Sequence, residues 1–236
     1  PLGRSEETGK YQTVVMFVDP SGRGKDETAY AILAFLNGYL FLLDVDGFRE
    51  GYADTVLRTI ATRAKAFGVN TIVVEPNFGN GMFAQLLKPF VNTIYPGCAI
   101  EDGKAASVQK EARIIDTLEP VIMRHKLIVH QQVVENDYKV YEKDPQYSLF
   151  YQMTRLSRER GALAHDDRLD AVEGAVAYFL DMVSMSEQQG MDELLEEQLE
   201  KWLDPDYGVL YKDESCIKDK FLANKKQKDF SGNCNI

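Results

Sequence analysis

Three groups of acidic residues stand where the chain would hold a carboxylate in place. Asp19 follows the apolar run from Val14 to Val18, and Glu75 follows the run from Val69 to Val74. The string His165-Asp166-Asp167-Arg168-Leu169-Asp170 opens the last long segment with helical apolar spacing. A buried strand that ends in an acid presents it at the edge of a sheet. If the strands ending in Asp19 and Glu75 are neighbours, the helix start brings Asp167 to the same point. Each acid taken singly reads as an ordinary turn or cap residue. Three converging from separate elements repel one another and raise one another's pKa unless cations neutralise them. Hard divalent ions with oxygen ligands, Mg²⁺ or Mn²⁺, are the natural remedy. After Asp19, the turn Pro20-Ser21-Gly22-Arg23-Gly24-Lys25-Asp26 adds two glycines, two cations and a further acid.

The elements that must position these acids follow from the apolar spacing. The strand ending in Asp19 is followed by strands over Thr28–Leu36 and Tyr39–Val45, joined at Asn37-Gly38, a strong two-residue hairpin signal. Val56, Ile60, Ala64 and Phe67 give one apolar face to a helix over Tyr52–Phe67, which Gly68 closes before the strand ending in Glu75. The loop Asn77–Gly81 leads to a helix over Met82–Phe90, and Val91–Ile94 with Ala99-Ile100 reads as a weaker strand. Further helices are expected over Ser107–His125, where Pro120 introduces a kink, and over Val133–Tyr141, with a short strand at Leu127–His130 between them. Tyr147–Arg155 alternates enough for a strand or half a hairpin, turning at Glu159-Arg160-Gly161, and His165–Met185 is the last core helix. A three-stranded antiparallel meander followed by strand–helix crossovers makes an α/β fold, a mixed sheet with helices on both faces.

The 236 residues are 44% hydrophobic and 27% charged, enough for one globular domain of about 180 to 200 residues and an appendage. Pro1–Ser5 reads as what a protease site leaves on an expressed protein, so 1–10 is set aside as leader and the chain reads as a piece of a longer one. The expected domain covers 11–185, and 186–236 an acidic helix and a flexible polar tail. No apolar run approaches the roughly 20 residues of a membrane span, so the chain reads as soluble and intracellular. Cys98, Cys216 and Cys234 have neither disulfide nor zinc spacing. The formal charge of −10 argues globally against a nucleic-acid binder. Much of it lies in Ser186–Glu200, which holds six acids and no Lys or Arg, so a basic face elsewhere stays compatible with it.

The strings FVDPSGRGKDETAYAIL, VVEPNFGNGMF, KEARIIDTLEPVI and YSLFYQMTRLSRERGALAHDDRLDA resemble the C-terminal nuclease domain of the terminase large subunit, the DNA-packaging motor of short-tailed double-stranded DNA bacteriophages. The resemblance runs from about Tyr11 to Phe179. It implies an RNase H-like fold, close to junction resolvases, that cuts concatemeric viral DNA in the host cytoplasm during phage assembly. It places the family's acids on Asp19, Glu75 and the Asp166-Asp167 pair. Resolvases carry two acids three positions apart on the final helix, which Asp167 and Asp170 reproduce, so Asp167 is preferred to Asp166 as ligand; Asp26 matches an auxiliary acid. The implied chemistry is phosphodiester hydrolysis with two Mg²⁺ or Mn²⁺ ions about 3.5–4 Å apart, Asp19 bridging both and Glu75 and Asp167 holding one side each. Implied partners are double-stranded DNA, the terminase ATPase domain, the small terminase subunit and the portal. A G-x-x-x-x-G-K-[ST] phosphate loop is missing from the sequence, so no ATP hydrolysis is expected of it.

Softer candidates surround the acids. Arg23, Lys25, Lys104, Lys110, Arg113, Arg155, Arg158 and Arg160 are candidate phosphate contacts, each with a solvated surface charge as the equal alternative. The resemblance favours Lys110 and Arg155. Tyr147, Phe150 and Tyr151 read as core more readily than as a DNA-positioning hairpin. His165 is placed to orient a water or a carboxylate, with a structural role at the helix start as the even alternative. Competing readings are a junction resolvase, a non-catalytic DNA- or portal-docking module, and an ATPase of the actin and sugar-kinase type, which would need a second phosphate hairpin that the sequence lacks.

Overall fold

A computed structural model describes residues 11–21, 26–76, 81–103 and 108–181. The expected leader 1–10, Arg23, Lys25, the loop at 77–80, Lys104 and the expected tail from 186 lie outside the described residues.

Six strands form one mixed sheet in the order β5-β4-β1-β2-β3-β6. The strand β1 (Thr13–Asp19) pairs antiparallel with β2 (Thr28–Leu36), which pairs antiparallel with β3 (Tyr39–Phe48). Asn37 and Gly38, both at positive φ, make the hairpin turn. After α1 (Asp54–Phe67) the chain returns as β4 (Thr71–Val74), parallel to β1 in a register that pairs Val18 with Val74. This register carries Asp19 and Glu75 to the same end of the sheet. The helix α2 (Met82–Ile94) leads to β5 (Ala99–Asp102), parallel to β4, and α3 (Lys110–Met123) to β6 (Leu127–Val129), parallel to β3. Then come α4 (Gln131–Lys143), a 3-10 turn at Pro145–Tyr147, α5 (Leu149–Arg155) and α6, which spans 167–181.

Strand alternation sorts the side chains onto two faces. Val14, Met16 and Val18 of β1, with Ile72 and Val74 of β4, pack into the core formed with α1 and α2. Val15, Phe17 and Asp19 therefore point to the opposite face, as do Val73 and Glu75. That face belongs to α6: a methyl on Gly174 would overlap the Phe17 ring, and Phe179 stacks on Phe35. Leu169, Val172, Val176 and Phe179 are at most 1% exposed, and each such burial contributes about 1.5–3 kcal/mol. Apolar packing thus fixes the helix, and the acids on it take the position it dictates.

Two expected strands are helical. Val91–Ile94 continues α2, whose buried Phe83, Leu87 and Val91 recur every fourth residue, with Pro89 accommodated inside. Tyr147–Arg155, expected as a strand or half a hairpin, forms the 3-10 turn and α5. Its aromatic residues suggest a strand, yet Ser148 caps α5 by accepting from Tyr151 N–H, and Asp137 on α4 takes the N–H groups of Leu149 and Phe150. A capping partner eleven residues upstream overrides the local pattern.

Candidate metal centre

At the carboxyl ends of β1 and β4 a cleft of about 390 Å³ is lined by Asp19, Pro20, Ser21, Asp26, Glu27, Glu75, Val108, Lys110, Arg113, Asp167 and Asp170. Its acids divide into two sets. Asp19, Glu75 and Asp170 each offer a carboxylate oxygen, and these atoms lie within 4.8 Å of one another. Asp167 sits instead with Asp26 and His165, whose donor atoms are equally close. Helix geometry explains the division: Asp167, Asp170 and Gly174 share the face turned to β1, and Asp167 is one turn nearer the helix start. Gly174 admits the Phe17 ring, so α6 lies close on β1 and Asp170 reaches Asp19.

Two cations hold the three-acid set from one side. Lys110 Nζ lies 2.9 Å from both Asp166 and Asp170. Arg113 donates to Asp170 and Glu173, and Thr117 donates to Glu173 at 2.8 Å. Two of the candidate phosphate contacts, Lys110 and Arg113, are thus committed to acids in this structure. Burial works against the Lys110 ammonium, but the charges of Asp170, Asp166 and Asp19 override it and raise its pKa. Of the neighbouring acids, Asp167 lines the cleft and Asp166 is held by Lys110.

At the wall of the cleft Glu27 forms a buried ion pair with Arg168 at 2.9 Å, with Asp46 3.4 Å from the same guanidinium. Glu27 N–H donates to Asp167 at 3.1 Å. Sequence reasoning missed Glu27 and Glu173, and had Asp170 as a metal candidate through its three-residue spacing from Asp167, a spacing that Glu173 repeats along α6.

Loss of solvent around Asp19 raises its carboxyl well above the ordinary range, and the Asp170 charge and a hydrogen bond with Glu75 add to the effect. Burial raises Asp167 to about 6, although Glu27 N–H and Lys110 act in the opposite direction. A proton shared by carboxyl groups that face one another occupies the position a cation would take. The donor set is all oxygen at the three-acid position, and it fits a hard divalent ion.

The other candidate cations among the described residues, Arg155, Arg158 and Arg160, are exposed. Arg155, at the end of α5, has its guanidinium 5.7 Å from the Tyr151 ring centre. Arg158 pairs with Asp116 at 2.7 Å on the surface, and Arg160 is exposed in the turn before α6.

A central antiparallel meander extended by parallel strands, with helices around it and acids at one sheet end, is the RNase H-like architecture. The family described as "Terminase Bacteriophage T7, Ribonuclease H-like domain" matches residues 18–127. The terminase large subunit of Enterobacteria phage T3 is 43% identical over 205 residues, covering 85% of this chain and 35% of the relative. By these two matches the chain carries an RNase H-like nuclease domain of the phage terminase large-subunit type. It spans about a third of the length of the T3 relative. Among solved structures, the terminase nuclease domain of human cytomegalovirus, soaked in Mn and bound to an inhibitor, superposes with a TM-score of 0.50. At 14% identity, over 71% of this chain and 82% of that one, this is a likeness of fold. No helix among the described residues is long and apolar enough to cross a membrane.

Proposed function

We propose that this domain is a metal-dependent endodeoxyribonuclease that cuts concatemeric double-stranded DNA during genome packaging, using two Mg²⁺ or Mn²⁺ ions. The observation that carries the reading is the meeting of Asp19, Glu75 and Asp170, acids from β1, β4 and α6, within 4.8 Å. Asp19, Glu75 and Asp170 would hold one ion, and Asp167, in the neighbouring set of the same cleft, would help to hold the other. Bound divalent ions supply Lewis-acid stabilisation of the phosphate and a water acidic enough to attack it. Lys110 and Arg113 hold the Asp170 carboxylate towards the cleft, and Glu27 N–H orients Asp167. Asp166 shapes the site through Lys110.

Arg155, Arg158 and Arg160, with Arg23 and Lys25, are proposed to meet backbone phosphates; such contacts position a duplex without reading its sequence. ATP hydrolysis, the small terminase subunit and the portal belong in this proposal to the rest of the packaging motor, acting in the host cytoplasm. The domain is assigned to 11–185. Supercoiled plasmid incubated with Mn²⁺ or Mg²⁺, against EDTA, tests the activity. Nicking that needs the metal and disappears in Asp19→Asn and Glu75→Gln supports it, and nicking that survives both substitutions overturns it.

A further inference from the structure

Beside Asp26 and Asp167, which line the cleft, lies a nitrogen donor that the proposed chemistry leaves unused. The ring of His165 stacks on Tyr147 with centroids 4.3 Å apart, and its Nε2 lies 3.0 Å from the Tyr147 hydroxyl. Nδ1 is buried and has no hydrogen-bond partner among the described residues. It faces Asp26 Oδ1 at 3.9 Å, too far for a hydrogen bond. A ring fixed by stacking, with one nitrogen hydrogen-bonded and the other bare and aimed at two carboxylates, is how proteins prepare an imidazole for a metal ion. Ligands about 2.1 Å from one ion lie about 3 Å apart when adjacent and about 4.2 Å apart when opposite, a range that includes the Asp26–His165 separation. Glu27 N–H already orients Asp167, while the Asp26 side chain, 72% exposed, has room to close.

We infer that Asp26, His165 and Asp167 form the second ion position of the cleft, and that His165 Nδ1 is a ligand that turns this position towards Mn²⁺ and other first-row transition ions in preference to Mg²⁺. The inference rests on the reading of the cleft as a divalent-ion site and assigns one of its ions a mixed nitrogen–oxygen shell. Mg²⁺ holds to oxygen ligands, whereas imidazole favours transition ions, so the two positions differ in selectivity.

The test uses tag-free protein titrated with Mn²⁺, read by electron spin resonance for bound ions and by electron spin echo for nitrogen coupling. The parent is expected to bind two ions, one of them coupled to nitrogen, and ¹⁵N-histidine labelling should change that coupling to the ¹⁵N pattern. In His165→Gln the coupling should vanish and affinity for the second Mn²⁺ fall at least about tenfold, while Mg²⁺ competition at the three-acid position is unchanged. A protein carrying His125→Asn and His130→Asn, with His165 its one remaining imidazole, should keep the coupling and covers the case in which His165→Gln fails to fold. Two bound ions with no nitrogen coupling, or coupling that persists in His165→Gln, would overturn the inference and leave the metal reading standing. Failure of the parent to bind Mn²⁺ would instead overturn both.

Discussion

The corner between α4 and α5 and the cleft at the ends of β1 and β4 both bury acids, with opposite surroundings. Asp137, 6% exposed, accepts from the Ser148 hydroxyl at 2.7 Å and from the N–H groups of Leu149 and Phe150 at 2.7 and 3.1 Å. Its negative charge is met by donors that belong to the start of α5, and that need is structural. Glu75 and Asp170, 8% and 4% exposed, stand against each other and against Asp19, with Lys110 and Arg113 paired to Asp170. Donors around a buried acid stabilise the fold, whereas acids around a buried acid cost stability and imply a missing cation.

The largest expected effect lies at the cleft. Asp19→Asn should lower metal-dependent nicking by a factor on the order of a thousand, since it removes one of the three carboxylates that would hold an ion between β1, β4 and α6. The same substitution should leave the melting temperature of metal-free protein unchanged or higher, because it relieves repulsion with Asp170. A melting temperature several degrees lower would show that Asp19 resembles Asp137 and would erase the contrast.

At the corner the signs reverse. Asp137→Ala should cost roughly 3 kcal/mol in chemical denaturation, because three donors lose a charged acceptor at about 1 kcal/mol or more each. Nicking per folded molecule should match the parent. Asp137→Asn, which keeps an acceptor oxygen, should cost less. Equal losses of activity in Asp137→Ala and Asp19→Asn would mean that the corner belongs to the site.

Gly174 links the two lessons, since it contributes no charge and yet places Asp170. Gly174→Ala should cost about 2 kcal/mol by forcing a methyl against Phe17, and should also reduce nicking by displacing α6 from β1. Full activity in a folded Gly174→Ala protein would show that the approach of the helix does not set the acid geometry.

Particular residues show how far the sequence reaches. Asn37-Gly38, Gly68 and the apolar runs ending in Asp19 and Glu75 act through local chemistry, and the hairpin, the helix end and the acid-bearing sheet edge were all legible. The parallel pairing of β1 with β4 followed from crossover rules, and alternation along both strands then placed their acids on one face. α5 was illegible because its cap Ser148 and its first N–H groups are held by Asp137 on another helix, and aromatic spacing alone resembles a strand. The choice between Asp167 and Asp170 for the three-acid set was hidden for a similar reason. Both lie on the same face of α6, and only the packing of Gly174 on Phe17 decides which turn stands over Asp19. Lys110 and Arg113 read as phosphate contacts or solvated surface cations, since nothing within α3 announces acids from α6 beside them.

Asp44 lies between the two extremes and gives the smallest effect. At 5% exposed it accepts from the Tyr30 hydroxyl at 2.8 Å, has Arg63 at 3.7 Å, and feels the like charge of Asp46. Burial raises its pKa, and Tyr30 and Arg63 offset this only in part. The folded state therefore holds the Asp44 proton more tightly than the unfolded chain does. Stability varies with pH as the protons bound unfolded minus those bound folded, a negative difference between the two pKa values. The Asp44 contribution is therefore full below the unfolded carboxylate pKa and is lost as pH rises through the folded value. Asp44→Asn should make the fall in unfolding free energy over that window shallower than in the parent, as read from denaturant melts at a series of pH values. A steeper fall would mean that Tyr30 and Arg63 satisfy Asp44 as fully as its three donors satisfy Asp137, and the graded contrast between donor-rich and donor-poor acids would reduce to the cleft alone.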